Sequence, residues 1–435
     1  AHEVTVFEAD TRIGGHSNTV TVDTPDGPIA VDTGFIVCNP DTYPNLIALF
    51  DQLGVETVAT TMSFSVSVQR DDARDELEYS GASLRGLMAQ PINLLRPRFW
   101  SMMRDLVRLY REAPTDLAAV GDLTLGEYLT RANYGAALRD DHLYPMAGAI
   151  WSTPTAQMAN LPARTFVTFC QNHGLFRLWG RPTWRTVRGG SIQYVSKLLG
   201  SGGALAGRVH VGTPVTAIRR EADSVHVQVA DGAGRHSTHA FDHVVVAAHS
   251  DQALGILVDP DDDERRLLGE IKYRRNETIL HTDPRVMPRR RSAWASWNAR
   301  SPAPSGVCVT YWMNLLQSLP TRTNLFVTLG GAEPIADDAV LARMSYSHPV
   351  LDTRAVAAQA SLWSLQGRRR TWFCGAWFGA GFHEDGLQAG LAVAEQLGGV
   401  RRPWEVANPS GRIQVRLPLP EHDPSTASLG PGGLR

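Results

Sequence analysis

Lysine is nearly absent from this chain. Lys197 and Lys272 are the only two, and every other basic side chain among its 42 Lys+Arg residues is arginine, a compositional bias rather than a chemical signal. Cysteine is scarce as well: Cys38, Cys170, Cys308 and Cys374 lie far apart with no C-x-x-C pair. That spacing argues against a zinc site or a disulfide framework and suits a reducing, cytoplasmic compartment. No apolar run approaches the ~20 residues that a membrane-spanning helix needs. An excess of one charge is missing too: 42 Lys+Arg against 44 Asp+Glu leave a net charge of −2 and no electrostatic case for nucleic acid. No stretch repeats internally. What remains is an ordinary globular composition, 43% hydrophobic and 20% charged. Its 435 residues suggest two or three domains rather than one core.

The most informative stretch is 371–397. Trp372, Phe373 and Cys374 read as a short buried strand. A loop with Gly375, Gly379, Gly381 and Gly386 follows, and then Leu387, Leu391, Val393, Ala394 and Leu397 fall mostly on one helical face. Strand, glycine loop and helix bring a ligand to a helix N-terminus, where free N–H groups and the dipole favour anions. The loop also carries His383, Glu384 and Asp385. The plainer reading of the two acids is that they complement the helix dipole. Gly379 and Gly381 begin a dinucleotide-type G-x-G, but the third glycine position is Glu384, so the match is weak.

At the other end, residues 2–8 alternate into an apolar strand that closes on Glu8, and residues 10–16 form a turn-rich loop. In a Rossmann unit an acid at the end of the second strand holds the dinucleotide ribose, and the glycine fingerprint lies about 20 residues earlier. Counting back from Glu8 puts that fingerprint before Ala1. Either Glu8 is an ordinary strand-end acid, or the first strand, phosphate loop and first helix are missing.

The run E-A-D-T-R-I-G-G-H, with Glu8, Arg12, Gly14 and Gly15 at these intervals, resembles the second FAD motif of the flavin amine oxidase superfamily. The resemblance continues through V-D-T-G-F-I-V at 31–37, N-P-D-T-Y-P-N-L at 39–46, M-S-F-S-V at 62–66, A-W-A-S-W-N at 293–298 and the glycine loop itself. Within the superfamily the chain is similar to a bacterial NAD/FAD-binding branch and to the flavoprotein half of plant cyclopropane fatty-acid synthases. The resemblance implies an α/β fold: a Rossmann-like FAD-binding domain of glutathione-reductase type with its first βα unit missing, and a mixed α+β substrate domain. The expected FAD-binding segments are 1–60, 185–255 and 365–402, and the substrate domain takes 61–184 and 256–364.

It also implies the cofactor, FAD. No side-chain constellation here performs redox chemistry unaided, so an organic cofactor must. Glu8 and Arg12 are expected at its adenosine, with Val215 meeting the adenine through its backbone, though a plain strand valine is equally consistent. Gly14, Gly15 and His16 would approach the cofactor where a Cβ clashes. Asp32, Gly34 and Phe35 match a segment near the isoalloxazine, Gly375 ends the C-terminal strand, and Glu384 or Asp385 stands in for an acid that relatives place after that glycine, where this chain has Ala376. His383 is the expected catalytic residue, its imidazolium stabilised near neutral pH by the adjacent acids. Amine oxidases of the superfamily often carry a lysine near the flavin, on a strand that aligns with 276–281; no lysine lies there. The expected reaction is therefore hydride removal from an apolar, lipid acyl substrate. Amine oxidation with peroxide release is the alternative, and a truncated flavoprotein without activity a third. A methyltransferase-type lipid-modifying partner also follows from the resemblance.

Between the ends, residues 80–145 read as helices broken at Pro91 and Pro97, with Arg85, Arg96, Arg98, Arg104, Arg108 and Arg111 interleaved among apolar residues. Such a segment lies on an anionic membrane surface as a peripheral contact, or caps its own domain with a solvated outer face. From Arg185 the pattern returns to α/β, with a helix at 192–199 capped by Ser191 and strands through 248. Strands are also expected at 277–281, 307–313 and 324–329. The arginine run 289–291 reads as a solvated loop. Residues 403–435, rich in Pro, Gly, Ser and charge, read as a poorly ordered tail.

Overall fold

The computed structural model describes residues 2–69, 76–116, 120–151, 153–177, 180–200, 205–303, 306–330 and 334–415. Two short parallel strand pairs come from distant parts of the chain. Val6–Phe7 pairs with Val209–His210, and Val244–Val246 pairs with Thr371–Phe373. The expected strand at 241–248 is shorter, because Phe241 instead ends the antiparallel meander Val215–Arg220, Val225–Ala230 and His236–Phe241. Helices Ser250–Ile256, Asp262–Gly269, Thr353–Leu362 and His383–Gly398 pack around these strands. Their shared core holds Ile218, Val227, Leu267, Leu268, Phe373 and Val393.

The larger sheet has seven strands in the order Val340–Val350, Lys272–His281, Phe326–Leu329, Gly306–Trp312, Trp297–Ala303, Phe64–Val68, Leu77–Ser80. Its pairings are antiparallel except that of Trp297–Ala303 with Phe64–Val68. A helical layer lies against it, with Pro97–Glu112, Leu125–Arg131, Tyr144–Trp151 and Ala163–Asn172 around a core of Leu109, Leu138, Leu143, Phe166 and Cys170. Pro91 and Pro97 do not merely break helices: each opens one, Pro91–Leu95 and Pro97–Glu112. There the missing N–H costs no hydrogen bond. All four cysteines are buried and free. Among the described residues no helix is long and apolar enough to cross a membrane.

A third core joins the two layers and floors the site. Val31, Leu46, Phe50, Val187, Tyr194, Leu280, Val309 and Val327 belong to it. Residues 403–415 correct the expectation of a loose tail. Arg412 pairs with Asp385 at 2.5 Å, Trp404 Nε1 donates to Asn45 at 3.1 Å, and Ile413 is buried. Composition suggested disorder, but long-range ion pairing holds this segment in place. Residues 416–435 lie outside the described residues.

Candidate active site

The N-terminal loop folds on itself through Arg12. Its guanidinium donates to the carbonyls of Gly15 at 2.7 Å, Ser17 at 3.3 Å and Ile13 at 3.4 Å. Gly14 is at φ +117°, and a Cβ there would sit 2.7 Å from the Ser17 carbonyl. Gly15 is at φ +55° with open space where its Cβ would point. A glycine next to a void leaves room for another molecule to approach the backbone. Glu8 opens the loop: its carboxylate accepts from Asp10 N at 2.9 Å, and its carbonyl from Thr213 N at 2.8 Å. Val215, half-buried two residues further on, is thereby brought near Glu8.

Residues 16–18 and 33–35 run side by side. Phe35 N donates to the His16 carbonyl at 2.8 Å and Thr33 N to that of Asn18 at 2.9 Å. Gly34 makes this approach possible, since a Cβ would fall 2.1 Å from the His16 oxygen. Asp32 is buried and turned to the protein. It accepts from Thr19 Oγ1 at 2.5 Å, Ser191 N at 2.9 Å, Ser191 Oγ at 2.8 Å and Gln317 Nε2 at 3.2 Å. Burial pushes its pKa up to about 6 against those hydrogen bonds. The expected Ser191 cap is corrected here. Helix Ile192–Leu199 has no cap bond from Ser191; its first N–H, of Ile192, donates to Thr19 Oγ1 at 3.0 Å instead.

The two acids of the glycine loop are committed to the protein as well. Glu384 accepts from Asn45 N at 3.1 Å, Leu46 N at 3.0 Å, Asn45 Nδ2 at 2.8 Å and Gln388 Nε2 at 3.0 Å. Asn45 and Leu46 are the second and third residues of helix Pro44–Leu53, which has no side-chain cap of its own. Glu384 therefore does the work of an N-cap from another part of the chain. Asp385 accepts from Phe382 N at 2.8 Å and pairs with Arg412. Gly375 leaves room for the Trp377 indole, 2.4 Å from where its Cβ would lie.

His383 opens helix His383–Gly398 and stacks on Phe35, ring centroids 4.2 Å apart and 17° from parallel. Its Nε2 meets Tyr194 OH at 2.9 Å, and Tyr194 OH also bonds Ser17 Oγ. Ser17, Tyr194 and His383 thus form one chain from the N-terminal loop to the C-terminal helix. The expected imidazolium is overturned: burial lowers His383 to about 4, and the neighbouring carboxylates are turned away to Asn45 and Arg412. His383 is neutral at pH 7.

Sequence reasoning missed the opposite wall. Tyr346 and His348 alternate on strand Val340–Val350 and face Asn276, whose Nδ2 lies 2.9 Å from His348 Nδ1. Tyr346 OH bonds Thr33 Oγ1 at 2.7 Å and Asn18 Nδ2 at 2.9 Å, and its ring lies 4.8 Å from that of His16. His16 also faces His348 at 5.3 Å and His249 at 6.4 Å. Burial, followed by the neighbouring His348 and His249, lowers His16 to about 3; burial lowers His348 to about 4 and lowers His249. Only His249 has a carboxylate, Asp251, working the other way. Beside Asn276 on the same strand, the buried Arg274 Nε and Thr278 Oγ1 lack a hydrogen-bond partner. The only signal for this wall was the alternation of Tyr346 and His348. Among the described residues no group of His, Cys, Asp and Glu is arranged to hold a metal.

The geometry can be set beside known proteins. The family model described as flavin containing amine oxidoreductase matches residues 1–330. No curated protein matches the sequence. The structure is similar to putrescine oxidase bound to putrescine, with TM-score 0.63 and 15% identity, covering 90% of this chain and 93% of that one. It is similar to cyclohexylamine oxidase from Brevibacterium oxydans IH-35A, with TM-score 0.59 and 15% identity over 90% and 93% of the two chains. A CLA-producing fatty acid isomerase from P. acnes matches with TM-score 0.59 and 15% identity over 91% and 92%. At such identities the likeness concerns the fold, and the family rests on the match over 1–330. The chain is a member of the flavin containing amine oxidoreductase family, an FAD-dependent oxidoreductase with a mixed α/β fold.

Proposed function

We propose that this enzyme oxidises or desaturates an uncharged, apolar substrate of lipid acyl type. The observation that carries the reading is that, among the described residues, no free carboxylate stands beside the histidines of the reacting side. His16, His348 and His383 are held neutral, and no carboxylate opposes that lowering. Glu384, Asp385 and Asp32 are occupied by protein donors. A cationic amine would find no free counter-charge beside these three histidines, and burying it unpaired is costly.

The residues fit FAD in two respects: the open side of Gly15, and the unpartnered Arg274 Nε and Thr278 Oγ1 beside Asn276. We read the parallel pairs as parts of a Rossmann-like FAD-binding unit built from 1–60, 185–255 and 365–402, with 61–184 and 256–364 as the substrate domain. Glu8, Arg12 and Val215 would hold the adenosine end; Gly14, Gly15 and His16 the middle; Gly34 and Phe35 the ring end. Asp32, Gly375, Glu384 and Asp385 shape this strip by fixing the elements around it. FAD, when bound, supplies the two-electron acceptor. His383 is neutral at pH 7, so its imidazole can accept the proton lost from substrate carbon, as a base that burial weakens, and Tyr194 and Phe35 hold its ring.

The test is anaerobic mixing of the FAD-loaded protein with long-chain acyl substrates and, separately, with putrescine and cyclohexylamine. Bleaching of the flavin by acyl chains alone is expected. Bleaching by the amines, with peroxide in air, would establish the second reading, amine oxidation, which the likeness to putrescine oxidase favours.

A further inference from the structure

Strand Leu77–Ser80 is an edge of the seven-stranded sheet, with Phe64–Val68 as its one strand neighbour. Its other side is met by amide side chains. Gln90 Oε1 accepts from Glu78 N at 2.9 Å, Gln90 Nε2 donates to the Glu76 carbonyl at 3.1 Å, and Asn93 Nδ2 donates to the Glu78 carbonyl at 3.1 Å. Covering an edge this way prevents strand-on-strand association. It also turns the covering segment inside out. Gln90 and Asn93 are 4% and 1% exposed, whereas Leu84 is 75% exposed, Leu95 78%, Trp100 52% and Ile92 50%, with Met88 and Leu94 close behind. Six of the thirteen exposed large hydrophobics among the described residues fall in these seventeen positions, 84–100. A soluble surface rarely gathers apolar groups in this way without a use for them.

All six lie within one short stretch of chain. Trp100 Nε1 donates to the Leu94 carbonyl at 2.9 Å and ties the loop to helix Pro97–Glu112. The same helix continues the face, where Trp100, Met103 and Val107 line a shallow groove of about 580 Å³ with Arg104, Arg108, Arg111 and Glu112. Residues 84–111 hold six arginines and one aspartate, in a chain whose net charge is −2. Arg85 and Arg111 are exposed and have no ion pair among the described residues. Exposed Arg291 joins them, since 291–293 packs on helix Leu84–Leu87.

We propose that residues 84–111 form a docking face that seats the protein on an anionic lipid bilayer. Leu84, Leu95 and Trp100 enter the headgroup boundary, and Arg85 and Arg111 pair with lipid phosphates. Apolar side chains flanked by Arg85 and Arg111, which have no ion pair among the described residues, suit that medium, which is apolar inside and anionic at its surface. A second copy of the chain is a poor occupant, because a two-fold contact would set arginines against arginines. The inference is independent of which substrate the flavin site takes.

The test is co-flotation of the full FAD-loaded chain with vesicles of phosphatidylcholine, with and without phosphatidylglycerol. Binding to the phosphatidylglycerol vesicles, weakened by salt, is expected. Leu84→Asp with Leu95→Asp should lower partitioning at least about tenfold, since charged side chains are excluded from the apolar boundary. Arg85→Gln with Arg111→Gln should lower it roughly twenty-five-fold, about fivefold per arginine near an anionic surface. Flavin absorbance and circular dichroism of the variants should match the parent. The proposal is overturned by an absence of binding to phosphatidylglycerol vesicles, or by equal binding of parent and variants. It is overturned too by a concentration-dependent dimer in sedimentation that the leucine variants abolish, which would give the face to a second copy.

Discussion

The start of helix His383–Gly398 and the face at 84–100 depart from ordinary polarity in opposite senses. The first buries Glu384, Asp385 and Gln388, and each finds partners for its polar atoms. The second exposes leucines and a tryptophan while hiding Gln90 and Asn93. Buried polar groups are tolerated only when satisfied, so the first region is specified by its contacts and intolerant of change. Exposed apolar groups contribute little to folding, so the second is free to vary unless something outside needs it. One region is held by the fold; the other is merely carried by it.

The sharpest way to break that contrast is Asp385→Ala. It strands Arg412, whose side chain is 12% exposed, and removes the cap on Phe382 N. A loss of about 3–5 kcal/mol is expected in urea denaturation, the usual cost of breaking a buried pair. A loss below 1 kcal/mol would mean the pair is a surface ornament.

Acidification should come next. His142, His173, His348 and His383 are all lowered by burial, to values of about 3 to 4, against an ordinary 6.5 in the unfolded chain. Between those limits the unfolded state binds more protons, so stability rises with pH through this window. It is fully present above about 6.5 and is lost as pH falls toward 4. Denaturation midpoints at pH 7.5 and pH 5 measure this, and equal midpoints would contradict the burial of these rings.

His383→Gln sharpens the comparison at the site itself. Flavin should stay bound, while its anaerobic reduction slows at least about tenfold, the lower side of general-base contributions. Release of flavin instead would make the histidine a structural residue, and parental rates would remove it from the chemistry. The smallest effect belongs to the exposed face: Leu95→Ser should change stability by no more than about 0.5 kcal/mol. A larger loss would show that Leu95 packs against something the fold needs.

Sequence periodicity was enough for helix Ile192–Leu199 and for the strand, glycine loop and helix between 371 and 397. Those are local patterns, and local patterns are what a sequence displays. Strand Val340–Val350 escaped notice because its residues are mostly half-buried or exposed and it owes its form to ten residue pairs along Lys272–His281. With it went Tyr346 and His348. The charge state of His383 was misjudged for a related reason: adjacency in sequence placed two acids beside it, but the helix turns both toward Asn45 and Arg412. The packed segment 403–415 was hidden by composition, since what holds it, the Arg412–Asp385 pair, the Trp404–Asn45 bond and buried Ile413, is long-range.

The carboxylate of Glu384 caps a helix whose second residue, Asn45, lies 339 residues earlier in the chain. During synthesis, then, helix Pro44–Leu53 emerges without this cap on its first peptide N–H groups and lacks it until residue 384 has been made. Neither strand Val6–Phe7 nor Val244–Val246 is better placed, for their partners start at 209 and 371. The nascent amino-terminal layer cannot be finished in order of appearance. Its completion waits on contacts from residues translated hundreds of positions later.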